Sequence, residues 1–233
     1  LWIGTATITN VNEANSSQPT RLSPTRSGLD LRLLVHVDAA GHPWLLKEVI
    51  QMWQDGTATQ NADGQSVPKD PGRHVLITDD SRLAEFRGAF LRDGVPVGRR
   101  LSTLDFDFDG GSSNVLAMTG TFDAGRTNRC TIVIDPDFAT NPFKHKYHPD
   151  HDNLDSTFRN HREEAYRIVR NVELRIAATD PGDRPLPSSA LDYGHNLLGG
   201  VYHETVAGVH RTNIIAEGPF RLTRISNSPV LNK

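Results

Sequence analysis

The chain has 233 residues, of which 36% are hydrophobic and 23% charged, and its formal net charge is −3. That length can bury a core of its own, and a slightly acidic balance argues against a general polyanion binder, because nucleic-acid proteins present a basic face. No apolar run approaches the roughly 20 residues of a membrane-spanning helix, and Cys130, the single cysteine, leaves no internal disulfide to form.

The chain starts at Leu1 and shows no charged segment followed by an apolar one, so it reads as a processed protein or as a piece of a longer polypeptide. Residues 2–11 (WIGTATITNV) alternate apolar and polar in the manner of a half-buried strand. Residues 12–28 are rich in Asn, Ser and Pro and read as a surface connection. Residues 29–38 (LDLRLLVHVD) and 44–53 (WLLKEVIQMW) are strands flanking DAAGHP, a hairpin connection with Gly and Pro. A second polar connection covers 54–72, and 73–79 (RHVLITD) is a strand.

Residues 81–92 (SRLAEFRGAFLR) predict a short helix, with Ser81 as its N-cap and Leu83, Phe86 and Phe90 on one face. Strands at 114–122 and 129–135 are joined by DAGRTN, a second hairpin. A further turn or two of helix is expected in 153–164. Residues 165–178 form the longest strand candidate, and 200–208 and 212–225 close the chain. Nine strands and few helices predict an all-β fold: an antiparallel β-sandwich or jelly-roll-like barrel with long loops and one or two short helices. No internal repeat or linker divides it, so residues 1–233 read as a single β domain, a module of a longer chain.

The densest chemistry lies in 145–155, HKYHPDHDNLD. His145, His148 and His151 recur every third residue, and on a threefold turn they share a face. Imidazoles suit iron, zinc or copper. Asp150, Asp152, Asn153 and Asp155 interleave hard oxygen ligands, which suit calcium. Counted from Asp150, Leu154 and Asp155 stand at positions five and six and His161 at position twelve, so the loop is not an EF-hand, which needs Gly at six and Glu at twelve. The pattern is metal-capable without naming a metal; calcium ranks first, and iron or zinc second. A solvated loop of turn-capping aspartates is the plain alternative.

Seven of the ten histidines lie at or after residue 145. His148-Pro149-Asp150, a distal His203 or His210, and Arg221-Leu222-Thr223 together resemble the ligand order of 2-oxoglutarate-dependent iron oxygenases. That resemblance implies iron held by His148, Asp150 and His210, with Arg221 gripping a co-substrate carboxylate. That family places its H-x-D at the end of an apolar strand, and KHKYHPD is not apolar.

DFDFDGG at 105–111 offers three alternate aspartates, either the first half of a calcium loop or a strand with Phe106 and Phe108 inward; Arg99 and Arg100 are candidate counter-charges. In YHET, Tyr202 and Glu204 share one strand face, and His203 and Thr205 the other. His203 and His36 read as structural histidines, and Cys130 as a small buried hydrophobe. Trp2, Trp44 and Trp53, if exposed together, would make a sugar-stacking platform. No G-x-S-x-G, Walker, H-E-x-x-H or C-x-x-C motif occurs.

NPFKHKYHPDHDNLD (141–155) and GGVYHETVAGVHRTNIIAEGPFRLTRIS (199–226) resemble a recurrent β module of very large bacterial exported or surface proteins. The resemblance covers most of the chain and carries no assigned activity that transfers to particular residues. The expectation is therefore an extracellular or cell-surface module of structural or adhesive role, with a metal-capable loop at 145–155 that draws on His145, His148, Asp150, His151, Asp152, Asp155 and His210. Its expected partners are other modules of the same polypeptide or surface components, with a glycan as a further candidate, and neither nucleic acid nor a membrane span. A non-haem iron oxygenase and a carbohydrate-binding β-sandwich are the alternatives.

Overall fold

The structure, a computed structural model, describes residues 1–13, 17–103, 114–136, 138, 141, 167–182, 192–210 and 212–233. Eight strands form one antiparallel sheet: β1 (Trp2–Asn12), β2 (Leu22–Val37), β3 (Pro43–Leu46), β12 (Val115–Ala117), β13 (Thr127–Ile134), β14 (Ile168–Ile176), β15 (Leu197–Ala207) and β16 (Ile214–Arg224). Each pairs with its neighbour in this series, and β16 returns to pair with β1, Trp2 opposite Arg224 and Val11 opposite Ala216. The sheet edges, β12 and β13, meet at Thr119 and Arg129, whose backbones exchange hydrogen bonds of 2.8 and 3.1 Å. The large sheet is thus an up-and-down barrel, an arrangement that removes free edges. The all-β antiparallel class expected from the sequence holds.

Alternation decides what the barrel encloses. On β13, Asn128, Cys130, Ile132 and Ile134 are buried, while Arg129 and Thr131 face water. The same phase on β14 buries Ile168, Val172, Leu174 and Ile176, and on β15 it buries Leu198, Tyr202 and Glu204. They meet Trp2, Ala6, Ile8, Leu31, Leu33, Val35, Phe220 and Leu222 in one continuous core. Near one end, Trp2 packs edge-on against Phe122 with ring centroids 5.7 Å apart.

Between β3 and β12 the chain makes an excursion that builds a second layer. Its sheet has the order β11 (Arg99–Ser102), β4 (Glu48–Gln54), β7 (Arg73–Ile77), with β8 (Arg87–Gly88) also on β4. It packs on the outside of the barrel, where Leu34 and Leu46 meet Val49, Leu76 and Leu101. The run Leu33-Leu34-Val35 breaks alternation for this reason: Leu33 and Val35 serve the barrel interior and Leu34 the second layer. A strand buried on both faces reads as continuous apolar sequence.

Several expectations change. The surface connection read across 12–28 is shorter, because β2 already begins at Leu22. The strand read across 44–53 is two strands on two sheets, because the chain leaves the barrel at Lys47, whose N–H donates to Asn114 O at 2.9 Å and whose carbonyl accepts from Thr103 N at 2.8 Å. The helix read across 81–92 is a single 3-10 element, Asp80–Glu85, capped by Asp79 rather than Ser81. Beyond it, Gly88 lies against the backbone of Pro96 and Val97, so close that a Cβ would stand 2.1 Å from Val97 N. There β9 (Phe90–Arg92) and β10 (Val95–Val97) form a hairpin turned by Asp93 and Gly94 at φ 51° and 79°, the positive values a primed turn requires. Finally, the presumed loop 54–72 holds another hairpin, β5 (Thr57–Gln60) with β6 (Ser66–Asp70). The helix expected in 153–164 lies outside the described residues.

The C-terminal tail ties the two layers together. Asn232 N donates to Leu76 O at 2.7 Å, and Asn232 Oδ1 accepts from Thr78 N and Asp79 N. His36, buried on β2, places Nε2 3.1 Å from Ser228 O in the same tail, while its Nδ1 is buried without a partner. Burial pushes the His36 pKa down, and the Ser228 carbonyl and Asp38 only partly oppose it.

Two predictions follow from this packing. A His held neutral in the fold stabilises it fully above the unfolded value near 6.5. As pH falls below that value towards the lower folded pKa, unfolding takes up a proton and stability drops. Urea midpoints measured from pH 7.5 to 5 should show a decline in the wild type that His36→Gln flattens; equal slopes would show that His36 does not contribute. Separately, a Cβ on Gly4 would stand 1.7 Å from Arg221 O at the β1–β16 seam. Gly4→Ala should lower stability by about 1–3 kcal/mol in urea melts, the usual cost of forced overpacking.

Candidate functional site

Among the described residues, the barrel interior contains one buried ionic cluster. Arg170 stands on β14 in phase with Ile168 and Val172, and Glu204 stands on β15 opposite Val172. Arg170 Nε donates to Glu204 Oε1, and Nη2 donates to Oε2 at 3.1 Å. The Tyr202 hydroxyl donates to the same Oε2 at 2.6 Å. The Glu204 side chain is 4% exposed and that of Arg170 16%. A carboxylate this deep needs such partners, because an unpaired buried charge is strongly unfavourable.

The surroundings set the chemistry. Burial, reinforced by the Glu204 charge, raises the Tyr202 phenol well above its ordinary range. Burial likewise pushes the Cys130 thiol up to about 12, with Glu204 adding to the effect. Both groups therefore keep their protons at neutral pH, and Cys130 is not poised as a nucleophile. Burial opposes the charged form of Arg170, but the Glu204 hydrogen bond and charge outweigh it and hold the guanidinium above its usual value. The cluster is suited to fixing the register of β14 against β15 from within.

On the outside of the same strands, Arg129, Glu173, His203 and Glu217 stand directly opposite one another across β13, β14, β15 and β16. Arg129 Nη2 lies 2.5 Å from Glu173 Oε1, Arg175 Nη2 2.5 Å from Glu173 Oε2, and His203 Nδ1 3.1 Å from Glu217 Oε2. Partial burial works against the Glu173 carboxylate, but hydrogen bonds from Arg175 and Arg129 overcome it and hold its pKa low. A carboxylate only accepts, so His203 Nδ1 carries the proton of that hydrogen bond and, in the neutral ring, Nε2 is left as an acceptor.

Of the residues expected to hold a metal, His145, His148, Asp150, His151, Asp152 and Asp155 lie outside the described residues, as does the stretch 105–111. His210 is described: it sits in the β15–β16 connection, with Nδ1 accepting from Thr212 N at 3.2 Å. Among the described residues no group of three or more His, Cys, Asp or Glu side chains is arranged to hold a metal. Arg221 is fixed to Asp180 Oδ1 at 2.6 Å. It stands seven residues along β16 from Ile214, roughly 20 Å at the rise of a strand, and His210 precedes that strand. The parts of the oxygenase pattern that are described therefore sit towards opposite ends of one strand. Arg99 lies over the Phe90 ring and Arg100 pairs with Glu48 and Asp80.

The three tryptophans do not form a platform. Trp2 is in the core, 6% exposed. Trp44, half-buried on the large sheet, donates from Nε1 to Asp38 Oδ2 at 3.2 Å. Trp53, on the second sheet, packs edge-on to His74 at 5.1 Å. The expected facing of Tyr202 with Glu204 is observed, as is the buried Cys130. Arg170 was not anticipated; its signal is that it falls in phase with the apolar positions of AYRIVRNVELRIAA, where an arginine needs an internal partner.

No family model matches this chain, and no curated protein matches it. Among the described residues no helix is long and apolar enough to cross a membrane.

The Arg170–Glu204 pair gives a test. Glu204→Gln should destabilise the fold by about 3–5 kcal/mol, the range for breaking a buried pair. The double replacement Arg170→Met with Glu204→Leu should recover much of that loss in urea unfolding. A double variant as unstable as the single one would show that the pair does more than offset its own burial.

Proposed function

We propose that the chain is a structural or adhesive β module of an extracellular or cell-surface polypeptide, with calcium bound in the 145–155 loop. The observation that carries the reading is the packed barrel interior. Its aliphatic side chains interdigitate around a paired Arg170–Glu204, so the barrel serves as a rigid body and its outer surface and loops do the recognising. The outward positions of β13–β16 carry Arg129, Glu173, Arg175, His203 and Glu217. Such charges belong to a water-facing barrel rather than a lipid-facing one. On this reading the carboxylates of Asp150, Asp152 and Asp155 cross-link a long polar connection through the ion. Other modules of the same polypeptide, or surface components, are its partners.

Calcium that binds only the folded chain stabilises it by about 2.7 kcal/mol at a hundredfold excess over Kd, which for a domain of this size is about 5–10 °C in Tm. Calorimetry should therefore show Tm falling by that amount on chelation and recovering with calcium, and Asp152→Ala should abolish the response. A wild-type Tm indifferent to chelator and calcium would overturn the metal part of the reading.

A further inference from the structure

A depression of about 360 Å3 lies on the outer face of the barrel, lined by Arg129, Thr131, Asn171, Glu173, His203 and Thr205. We propose that it is a binding subsite for a neutral saccharide. The inference rests on the adhesive reading and names the chemistry it would use.

The strand register builds the depression. Arg129, Glu173 and His203 stand side by side as one row of long polar side chains. One step along each strand, the outward residues are Thr131, Asn171 and Thr205, all short and polar. One step further they are Val133, Val169 and Ala207, all half-buried. A tall polar wall, a low floor of hydroxyls and an amide, and an aliphatic margin thus follow one another. The outer face of a sheet becomes concave where a row of short residues lies beside a row of long ones.

The available groups select the ligand. Glu173 is saturated by Arg129 and Arg175, and His203 is held by Glu217, so the charged row neutralises itself and offers no unbalanced charge to an ion. Asn171 Oδ1 accepts from Thr131 Oγ1 at 2.9 Å, which leaves the Asn171 amide NH2 as a donor. His203 Nε2 is an acceptor in the neutral ring, and the remaining Arg129 N–H groups are donors. Donors and acceptors without net charge on one side, and aliphatic C–H on the other, complement a pyranose, which has hydroxyls at its rim and C–H on its faces. The volume of the depression falls within the roughly 300–1,000 Å3 range of small-molecule sites.

The test is an NMR titration of the 15N-labelled chain with methyl galactoside, methyl glucoside and N-acetylglucosamine, with glucuronate in parallel. At least one neutral sugar should move the backbone resonances of Thr131, Asn171 and Thr205 saturably at millimolar concentration. Asn171→Ala should weaken that binding roughly fivefold, as expected for a lost hydrogen bond, and Thr131→Val should weaken it without altering Tm. Absence of shifts at these residues, or stronger binding of glucuronate than of every neutral sugar, would overturn the site. Calcium-dependent melting is read separately: a chain that melts with calcium dependence but ignores all the sugars loses this subsite and keeps its structural role.

Discussion

The pairing of the first strand with the last is the constraint on which the rest of the molecule depends. β1 runs between β2 and β16, and without β16 the large sheet has no return to its start. The contact is intimate. Gly4 meets the Arg221 carbonyl and Gly218 meets that of Thr7, each at a separation that leaves no room for a Cβ. The register shifts between Ala6 and Asn10, a stretch that includes Thr7, as irregular pairing does where a strand must coil sharply to close a barrel. Because the partners are more than 200 residues apart in sequence, closure comes at a high loop-entropy cost, and folding of this topology is expected to be slow.

Closure also explains why the second layer exists. β3 and β12 are short, four and three residues, and the excursion between them would otherwise leave Leu34 and Leu46 facing water on the outside of the barrel. The inserted sheet covers them, and the tail fastens it through Asn232 and Ser228. Burial lowers the His36 pKa at that fastening and makes the junction of the layers the expected acid-sensitive point, whereas in the barrel core the buried charges Arg170 and Glu204 satisfy each other.

Legibility of this fold in the sequence follows burial. The barrel strands β1, β13, β14, β15 and β16 were readable because one face of each is apolar and the other polar, which writes period two into the residues. β5 and β6 are exposed on both faces, so no alternation marks them and they read as loop. The β9–β10 hairpin was masked by Leu83, Phe86 and Phe90 at helical spacing, although Asp93-Gly94 carried the turn signal that contradicts a helix there. In the candidate site, the facing of Tyr202 and Glu204 was legible from alternation alone. Their partner Arg170 was not, since pairing across strands depends on register, and register is fixed by the closed sheet rather than by any local pattern.

The same register gives the two faces of β13, β14 and β15 different work. Inward, an ion pair in a dry core must be satisfied on every side, and Arg170, Glu204 and Tyr202 achieve this only in one alignment of β14 with β15. A slip of β14 by one residue would turn Arg170 outward and leave Glu204 buried on β15 without its fork. Outward, the alignment so enforced is what sets Arg129, Glu173 and His203 in one row and Thr131, Asn171 and Thr205 in the next. The depression is shaped by side-chain length at fixed strand spacing, so its geometry inherits the rigidity of the core beneath it. On the proposed reading, recognition on the outside of a filled barrel needs no interior cavity: the buried charges fix the alignment, and the alignment shapes the outer face.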